Sequence, residues 1–255
     1  MLRLGGVRYL NSRPLLYGLD RDPLVSLTLE VPARLIDGLK SAAFDVALLP
    51  VIDYQRLESL QIVPAGGICS DGPTLTVRIF SPVPMPQITS LACDPESHTS
   101  VALARIVLAE RFGIHPRLTE GCARLLIGDK VISDAPSGME YQLDLGQAWK
   151  DLTGLPFVFA IWTARQGVPL GDLPQRLDAA KRQGLAHIDE IVASDATGRG
   201  WPVKLARQYL TCNLQFDIGP RQIQAMNQFF ELAACHGLIE SPPRPIRLAS
   251  PCAEE

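Results

Sequence analysis

The sequence predicts a two-lobed α/β protein, and three observations lead to that prediction. Short apolar segments alternate with helical segments through the first third of the 255-residue chain, which is typical of a parallel sheet covered by helices. Three prolines within residues 81–87 interrupt this pattern, and an apolar segment at 157–162 suits a strand that returns to the first sheet. We therefore expect a first lobe of residues 1–82 and 158–255, a second lobe of residues 83–157, and a ligand cleft between them.

Apolar segments and favourably placed prolines define the elements of the first lobe. The apolar segment 44–49 ends at Pro50, as expected for a buried parallel strand. Pro32 occupies a favourable first helical position before a helix that continues to Lys40. The predicted elements are strands at 2–7, 24–31 and 44–49, and helices around 15–19, 33–40 and 52–57.

A second strand–turn–helix unit follows the proline cluster, and its helix carries apolar side chains on one face. In the last predicted helix, apolar residues spaced three and four apart indicate core packing rather than a ligand site. The proline-rich tail 241–255 is expected to be loosely ordered. The remaining predicted elements are strands at 88–93, 117–119, 123–127 and 157–162, and helices at 101–112, 173–193, 202–209 and 220–235.

Composition and charge disfavour several classes of protein. Hydrophobic residues make up 47% of the chain and charged residues 20%, which is an ordinary globular balance. The net charge of −3 without a basic stripe argues against a nucleic-acid partner. No segment is long and apolar enough to span a bilayer, and the N-terminus lacks the features of a signal peptide, so we expect a cytoplasmic protein. The sequence leaves the oligomeric state open between a monomer and a homodimer.

Known cofactor, metal and hydrolase motifs are missing from the sequence. It contains no glycine-rich dinucleotide or phosphate loop, no G-x-S-x-G elbow and no H-E-x-x-H pair. The six cysteines form no C-x-x-C pair and have no zinc-ligand spacing with the four histidines. They are interpreted as free thiols, with a single nucleophilic cysteine as the alternative. We therefore expect neither a metal nor a cofactor.

The polar turns after the predicted strands are the candidate ligand sites, because open α/β sheets bind ligands outside the carboxyl ends of their strands. The first turn contains Tyr9 and Asn11, whose side-chain amide offers two donors and one acceptor. In the alternative interpretation, Asn11 or Ser12 only caps the next helix.

A second turn contains Ser70, Gly72 and Pro73. The glycine permits a close approach of the backbone to a ligand, and the serine adds a hydroxyl. The same residue types also occur in an ordinary turn that binds nothing.

The third turn contains Ser97, Thr99 and Ser100 at the start of a helix. A helix N-terminus carries free N–H groups and partial positive charge, so it receives carboxylates well, although an N-cap without a ligand explains the same residues.

In a fourth turn, Asp129 can orient another polar group or cap a helix. His98 is either a general base or a surface histidine.

Six segments, taken in order, resemble the chorismate dehydratases of the futalosine route to menaquinone. They are YLNSRPLLYGL, FDVALLPVIDY, ICSDGPTLTV, DPESHTSVAL, LLIGD and DLGQAWKDLTGLPFVFAIW, within residues 2–165. The resemblance implies a fold like the type II periplasmic binding proteins, with two hinged α/β lobes. It also implies a carbon–oxygen lyase that converts chorismate to 3-[(1-carboxyvinyl)oxy]benzoate and water without a cofactor.

The resemblance also assigns roles to residues of this chain. Asn11 and Ser70 match the family's asparagine and serine and are the expected catalytic residues. The family more often has arginine at the position of His98, so no role for His98 is implied. The matched motifs contain no strong base, and we expect the enolpyruvyl carboxylate of the substrate to accept the proton. The expected substrate-binding residues are Tyr9, Gly72, Pro73, Ser97, Thr99, Ser100 and Asp129.

Two other functions remain open from the sequence. One is a solute-binding protein of the same fold that binds a small organic anion without catalysis; the missing signal peptide disfavours it. The other is the sister enzyme of the pathway, the dihydroxynaphthoate synthase, which relies on a catalytic histidine. No histidine of this chain lies at a clear strand end of the second lobe, where such a catalytic histidine is expected.

Overall fold

The computed structural model describes residues 1–249 and contains two mixed sheets covered by helices, which confirms the predicted α/β class. The first sheet has the strand order β2-β1-β3-β9-β4, in which only β9 runs against the others. The second sheet has the order β6-β7-β5-β8. The strands are β1 Leu2–Val7, β2 Val25–Glu30, β3 Val46–Pro50, β4 Leu60–Ser70, β5 Val77–Ser81, β6 Leu91–Cys93, β7 Ala123–Ile127, β8 Tyr141–Asp144 and β9 Phe157–Arg165.

Helices of very different lengths connect these strands. Several begin at a proline or behind a polar cap, such as Asp144, whose carboxylate accepts hydrogen bonds from Gly146 N and Gln147 N. The helices are α1 Arg13–Leu16, α2 Leu35–Lys40, α3 His98–Phe112, α4 Lys130–Ser133, α5 Leu145–Thr153, α6 Leu173–Ala186, α7 Ile188–Ile191, α8 Val203–Gln208 and α9 Pro220–Cys235.

The first crossing between the lobes lies earlier in the chain than the boundary predicted at residue 82. Strand β5 pairs with β7 and β8, so it belongs to the second sheet, and the chain leaves the first sheet after Ser70. The proline cluster that suggested the boundary therefore lies within the second lobe, where it follows β5. The chain returns to the first sheet with β9, which begins at Phe157.

Two predicted elements differ from the structure, and strands β5 and β8 were not predicted. No strand forms at 117–119 beyond a single bridge between Arg117 and Ser90. The helix predicted at 173–193 is broken at His187 into α6 and α7. Strand β8 is half exposed at the sheet edge and lacks a long apolar pattern, so the sequence did not reveal it.

An aromatic cluster joins the two lobes beneath their interface. Trp149 of α5, Phe157 of β9 and Phe229 of α9 meet edge to face, with ring centroids 5.0 to 6.0 Å apart. All three side chains are at most 1% exposed. The apolar stripe of α9 packs into this core, as predicted.

The described part of the C-terminal tail is tied to the first lobe, contrary to the loose order predicted for it. Tyr54 Oη donates to the Pro245 carbonyl and accepts from Arg247 N, at 3.0 and 2.9 Å. Ala249 N donates to the carbonyl of Ile62 in β4 at 2.7 Å. Backbone hydrogen bonding to β4 thus orders a segment whose composition alone indicates a coil; residues 250–255 lie outside the described part.

Among the described residues, no helix has the length and hydropathy needed to cross a membrane.

Candidate functional site

A cleft lined by residues of both lobes opens between the two sheets. Strands β1, β3 and β4 run parallel, so their carboxyl ends share the sheet edge that faces it. Apolar side chains of β4 and β9, including Ile68 and Phe159, form part of its wall. The polar side chains that line it include Tyr9, Asn11, Thr76, Ser97, Ser100 and Tyr209.

Asn11 lines the cleft directly after β1. Its Oδ1 atom is buried and has no hydrogen-bond partner among residues 1–249. Asn11 does not act as a helix cap, because the short helical turn it belongs to is preceded by Tyr9 and has no side-chain cap. The Ser12 hydroxyl donates to the Val7 and Tyr9 carbonyls and holds the turn closed. The side chain of Asn11 is therefore available to a ligand.

Ser70, Gly72 and Pro73 lie in the first crossing between the lobes, beside the cleft. Ser70 is fully buried, and its Oγ donates to the Gly72 carbonyl at 3.1 Å. Helix α5 approaches this turn so closely that a Cβ at Gly146 would lie 2.7 Å from Ser70 Oγ. The hydroxyl is thus held by its own turn, and its catalytic role stays a prediction.

Helix α3 points its N-terminus at the cleft. Ser97 Oγ accepts from Ser100 N at 3.1 Å and donates to Ser100 Oγ at 2.8 Å, and both serines line the cleft. Thr99 is engaged elsewhere, since its hydroxyl accepts from Ile52 N of the first lobe at 3.3 Å. Ser97 therefore caps the helix and faces the cleft at once, so the two interpretations of this turn are compatible.

The Asp129 side chain does not line the cleft; it forms hydrogen bonds that link neighbouring segments beside it. Its Oδ1 accepts from Leu10 N at 3.2 Å and from Trp201 Nε1 at 3.0 Å, and its Oδ2 accepts from Arg199 at 2.9 Å. Beside it, Gly128 adopts φ +61°, and a Cβ there would lie 2.8 Å from the ring of Tyr9. This turn of the second lobe is thereby fixed against the first turn of the first lobe.

A charged cluster also links the lobes at the mouth of the cleft. Tyr9 Oη donates to Glu96, whose carboxylate also pairs with Lys130 Nζ at 2.8 Å. Lys130 contacts Asp94 at 2.8 Å as well. Burial lowers the pKa of Lys130, but its hydrogen bonds to the two carboxylates outweigh that effect and raise the pKa above its usual value. The Tyr9 hydroxyl therefore ties the first lobe to a charged cluster of the second lobe.

Two cleft residues, Thr76 and Tyr209, were not identified from the sequence. Their hydroxyls lie 2.6 Å apart, and both residues are 1% exposed. Thr76 follows the turn of Ser70, Gly72 and Pro73 closely in the sequence, so this proximity could have identified it as a cleft residue. Tyr209 lies far along the chain in a helical segment without a recognisable motif, and only the fold brings it to the cleft.

Most of the chain resembles a known protein family. A family model described as menaquinone biosynthesis matches residues 2–235. The chain belongs to this family.

Two similar relatives align with most of the sequence of this menaquinone biosynthesis family member. A protein named chorismate dehydratase from Thermus thermophilus is 30% identical over 235 residues, covering 81% of this chain and 86% of the relative. A chorismate dehydratase from Campylobacter jejuni is 27% identical over 243 residues, covering 92% of this chain and 97% of the relative.

Solved structures show the fold of this family member. A protein of Archaeoglobus fulgidus has a TM-score of 0.73 at 16% identity and covers 93% of this chain and 98% of its own. The periplasmic aliphatic sulphonate binding protein of Escherichia coli has a TM-score of 0.66 at 14% identity, covering 100% of this chain and 95% of its own. These likenesses confirm the predicted periplasmic-binding-protein-like fold.

The cysteines of this family member lie outside the cleft as far as they are described. Burial raises the pKa of the Cys69 thiol far above its usual range and that of Cys93 to about 11, which disfavours the reactive thiolate. Cys122, Cys212 and Cys235 are exposed, and Cys252 lies outside the described residues. Among residues 1–249, no group of three or more possible ligand side chains could hold a metal ion.

His98 joins the lobes behind the cleft and does not line it. Its Nδ1 lies 2.8 Å from a carboxylate oxygen of Asp53, which is fully buried and also pairs with Arg56 at 3.1 Å. The His98 ring is thus held by a structural contact with the Asp53 carboxylate.

A His98→Gln variant should retain kcat/KM within a few-fold and lose stability. The lost hydrogen bond to a charged, buried partner is worth about 1.5–3 kcal/mol. Steady-state kinetics and thermal unfolding of the variant and the parent measure both effects. His236→Gln is the matched control, because His236 pairs with Glu110 on the surface. Loss of turnover in a folded His98→Gln protein would contradict this assignment and favour a histidine-dependent enzyme.

Proposed function

We propose that this protein is a chorismate dehydratase, a hydro-lyase that converts chorismate to 3-[(1-carboxyvinyl)oxy]benzoate and water. The observation that carries the proposal is the family match over residues 2–235, together with two relatives of that printed name that align over 81% and 92% of this chain. Structures of binding proteins share the fold at 14% identity, which supports the architecture and no particular ligand.

The cleft suits a small organic anion. Its described polar side chains are uncharged hydroxyls and amides, and the 15-residue helix α3 points its N-terminus at it. The partial positive charge and free N–H groups of such a terminus favour a carboxylate. We assign one carboxylate of the substrate to the turn of Ser97 and Ser100.

The reaction needs few groups from the protein. Chorismate loses the hydrogen at C3 and the hydroxyl at C4; the electron pair of the C3–H bond becomes part of the aromatic ring, and the proton and hydroxide leave as water. Aromatisation makes this elimination strongly downhill, so the enzyme must mainly position the substrate. No electrons are transferred to or from an outside group, and no cofactor is required.

The proton acceptor in this proposal is the enolpyruvyl carboxylate of the substrate itself. Among the polar cleft residues Tyr9, Asn11, Thr76, Ser97 and Tyr209 there is no group that is basic at neutral pH. Asn11 and Ser70 would orient that carboxylate or assist the departing hydroxyl.

Incubation of the pure protein with chorismate tests the function. We expect an aromatic product with one water less than the substrate, seen by absorbance and mass spectrometry, and no loss of turnover after dialysis against EDTA. Binding of chorismate without turnover would favour a solute-binding protein. If chorismate is neither bound nor converted, the sister enzyme's substrate becomes the next candidate.

A Ser70→Ala variant should lose about 10- to 150-fold in kcat/KM, the equivalent of one hydrogen bond to a charged group. Ser81→Ala is a closely matched control: Ser81 is also fully buried, and its Oγ also donates to a carbonyl two residues on, that of Val83 at 2.7 Å. Kinetics of both variants, at matched melting temperatures, decide the role of Ser70. Equal activities would remove Ser70 from the mechanism.

A further inference from the structure

Thr76 and Tyr209 form a pair of hydroxyls in the wall of the cleft. Their oxygens lie 2.6 Å apart, and both residues line the cleft at 1% exposure. Each hydroxyl carries one hydrogen, and the hydrogen bond between the two oxygens uses only one of them. Among residues 1–249, neither hydroxyl has a second acceptor. Whichever of the two donates to the other, the pair therefore keeps one donor that a ligand in the cleft can satisfy.

The surrounding structure fixes the position of this pair. The Tyr209 ring stacks on Trp201, with ring centroids 4.9 Å apart and planes at 20°. The Thr76 N–H donates to the Thr74 carbonyl, and the Thr76 carbonyl accepts from Gly128 N, both at 2.8 Å. Burial raises the pKa of the Tyr209 phenol above its usual value, so the hydroxyl keeps its hydrogen at physiological pH. The remaining donor is thus in place before a ligand binds.

A single donor suits a neutral hydroxyl better than a carboxylate. The other hydroxyl pair of the cleft, Ser97 with Ser100, stands at the N-terminus of α3, where backbone N–H groups add the further donors that a carboxylate needs. The Thr76–Tyr209 pair offers one donor only. The cleft also holds a matching acceptor, because the buried Oδ1 of Asn11 has no partner among residues 1–249. One donor and one acceptor are the contacts that an alcohol hydroxyl makes.

We propose that the Thr76–Tyr209 pair donates a hydrogen bond to the C4 hydroxyl of the substrate and stabilises that oxygen as it departs. The inference rests on the proposed function, since this hydroxyl is the group that the reaction expels.

The pair takes part in this step without giving up a proton. The electron pair of the C4–O bond leaves with the oxygen, and the electron pair of the C3–H bond enters the ring. The C3 proton passes to the enolpyruvyl carboxylate and then to the departing hydroxide, which becomes water. Because negative charge grows on the oxygen as its bond to C4 breaks, the hydrogen bond from the pair strengthens in the transition state.

The test is the double variant Thr76→Val/Tyr209→Phe, which removes both hydroxyls and nearly keeps the shapes of the side chains. Replacing both partners leaves no buried hydroxyl without a partner, so the fold should survive, as melting temperatures will show. We expect KM for chorismate to rise roughly 2- to 5-fold and kcat to fall roughly 10-fold. The effect on kcat is the larger one because a hydrogen bond to a charged oxygen is stronger than one to a neutral oxygen.

Thr163→Val/Tyr54→Phe is the matched control. It makes the same two substitutions at buried residues outside the cleft, whose hydroxyls donate to the carbonyls of Ile161 and Pro245. Its kcat and KM should equal those of the parent.

The product of the reaction separates contact with the hydroxyl from a merely structural role. 3-[(1-carboxyvinyl)oxy]benzoate keeps both carboxylates of the substrate and lacks the C4 hydroxyl. Its inhibition constant should therefore be the same for the parent and for Thr76→Val/Tyr209→Phe. Product affinity that falls as much as chorismate affinity would overturn the inference, because the pair would then act on a carboxylate or on the shape of the cleft. A kcat equal to that of the control would overturn it too.

Failure of the proposed function gives a different set of results. If the parent binds chorismate without converting it, calorimetry makes the same comparison. A Kd for chorismate that rises 2- to 5-fold in Thr76→Val/Tyr209→Phe, with an unchanged Kd for the product, would support the contact with the hydroxyl while the assigned reaction is wrong. If the parent converts chorismate and the variant matches the control, the inference alone fails. A parent that does not bind chorismate overturns both.

Discussion

We expect the Asn11→Asp variant to lose about 10- to 150-fold in kcat/KM for chorismate while it keeps its fold. The substitution preserves the shape of the side chain, removes its N–H donors and places a negative charge beside an anionic substrate. One positioned hydrogen bond to a charged group is worth about 1.5–3 kcal/mol, which corresponds to the stated loss in rate. The buried Oδ1 of Asn11, which has no hydrogen-bond partner among residues 1–249, makes it the best-placed side chain of the cleft for contact with a ligand.

Asn227→Asp is the control for Asn11→Asp, because it makes the same charge change on the exposed face of α9. Both proteins are compared by circular dichroism, melting temperature and steady-state kinetics. An Asn11→Asp protein as active as Asn227→Asp would exclude Asn11 from the mechanism and leave the turn of Ser97 and Ser100 as the remaining part of the site.

We expect Asp144→Ala to be the most destabilising single change near the cleft, by about 3–5 kcal/mol. The Asp144 carboxylate accepts hydrogen bonds from four backbone N–H groups: those of Thr74 and Leu75 in the first crossing, and of Gly146 and Gln147 in α5, at 2.7 to 3.1 Å. Leu75 adopts φ +66°, an unfavourable conformation for leucine that these contacts help to maintain.

The effect should appear as a melting temperature lower by about 6–12 °C, given the size of the protein. Activity should fall as well, since the same crossing carries Ser70 and Thr76. Asp151→Ala on α5 is the control: its carboxylate pairs with Arg111 at the surface, where such pairs contribute little. If Asp144→Ala melts like Asp151→Ala, the carboxylate does not hold the crossing.

Local sequence signals determined most of the first lobe and the edge at which the cleft lies. The apolar segments of β1 and β3 and the helix-favouring segment that begins at Pro32 were readable without tertiary information, because burial patterns and proline geometry act within a few residues. The polar turn at Asn11 was located in the same way, since parallel strands end at one sheet edge. A resemblance spread over six segments added the family, which the comparisons confirm.

Contacts between distant segments were decided only by the tertiary structure. Strand β5 belongs to the second sheet, where it pairs with β7 and β8. The proline cluster that follows β5 in the sequence does not indicate this pairing. The tail that contains Arg247 was ordered by hydrogen bonds to Tyr54 and Ile62, which its own composition cannot encode.

The same distinction between local signals and tertiary contacts applies to the residues of the cleft. The sequence by itself determined that small polar residues such as Asn11 and Ser97 stand at the ends of strands and the starts of helices, because the chemistry of turns and caps is local. Only the fold decided that Tyr209 meets Thr76 in the cleft that Asn11 also lines, and that the Ser70 hydroxyl is held by Gly72. Those partners depend on how two sheets and a distant helix pack, and packing is a property of the whole chain.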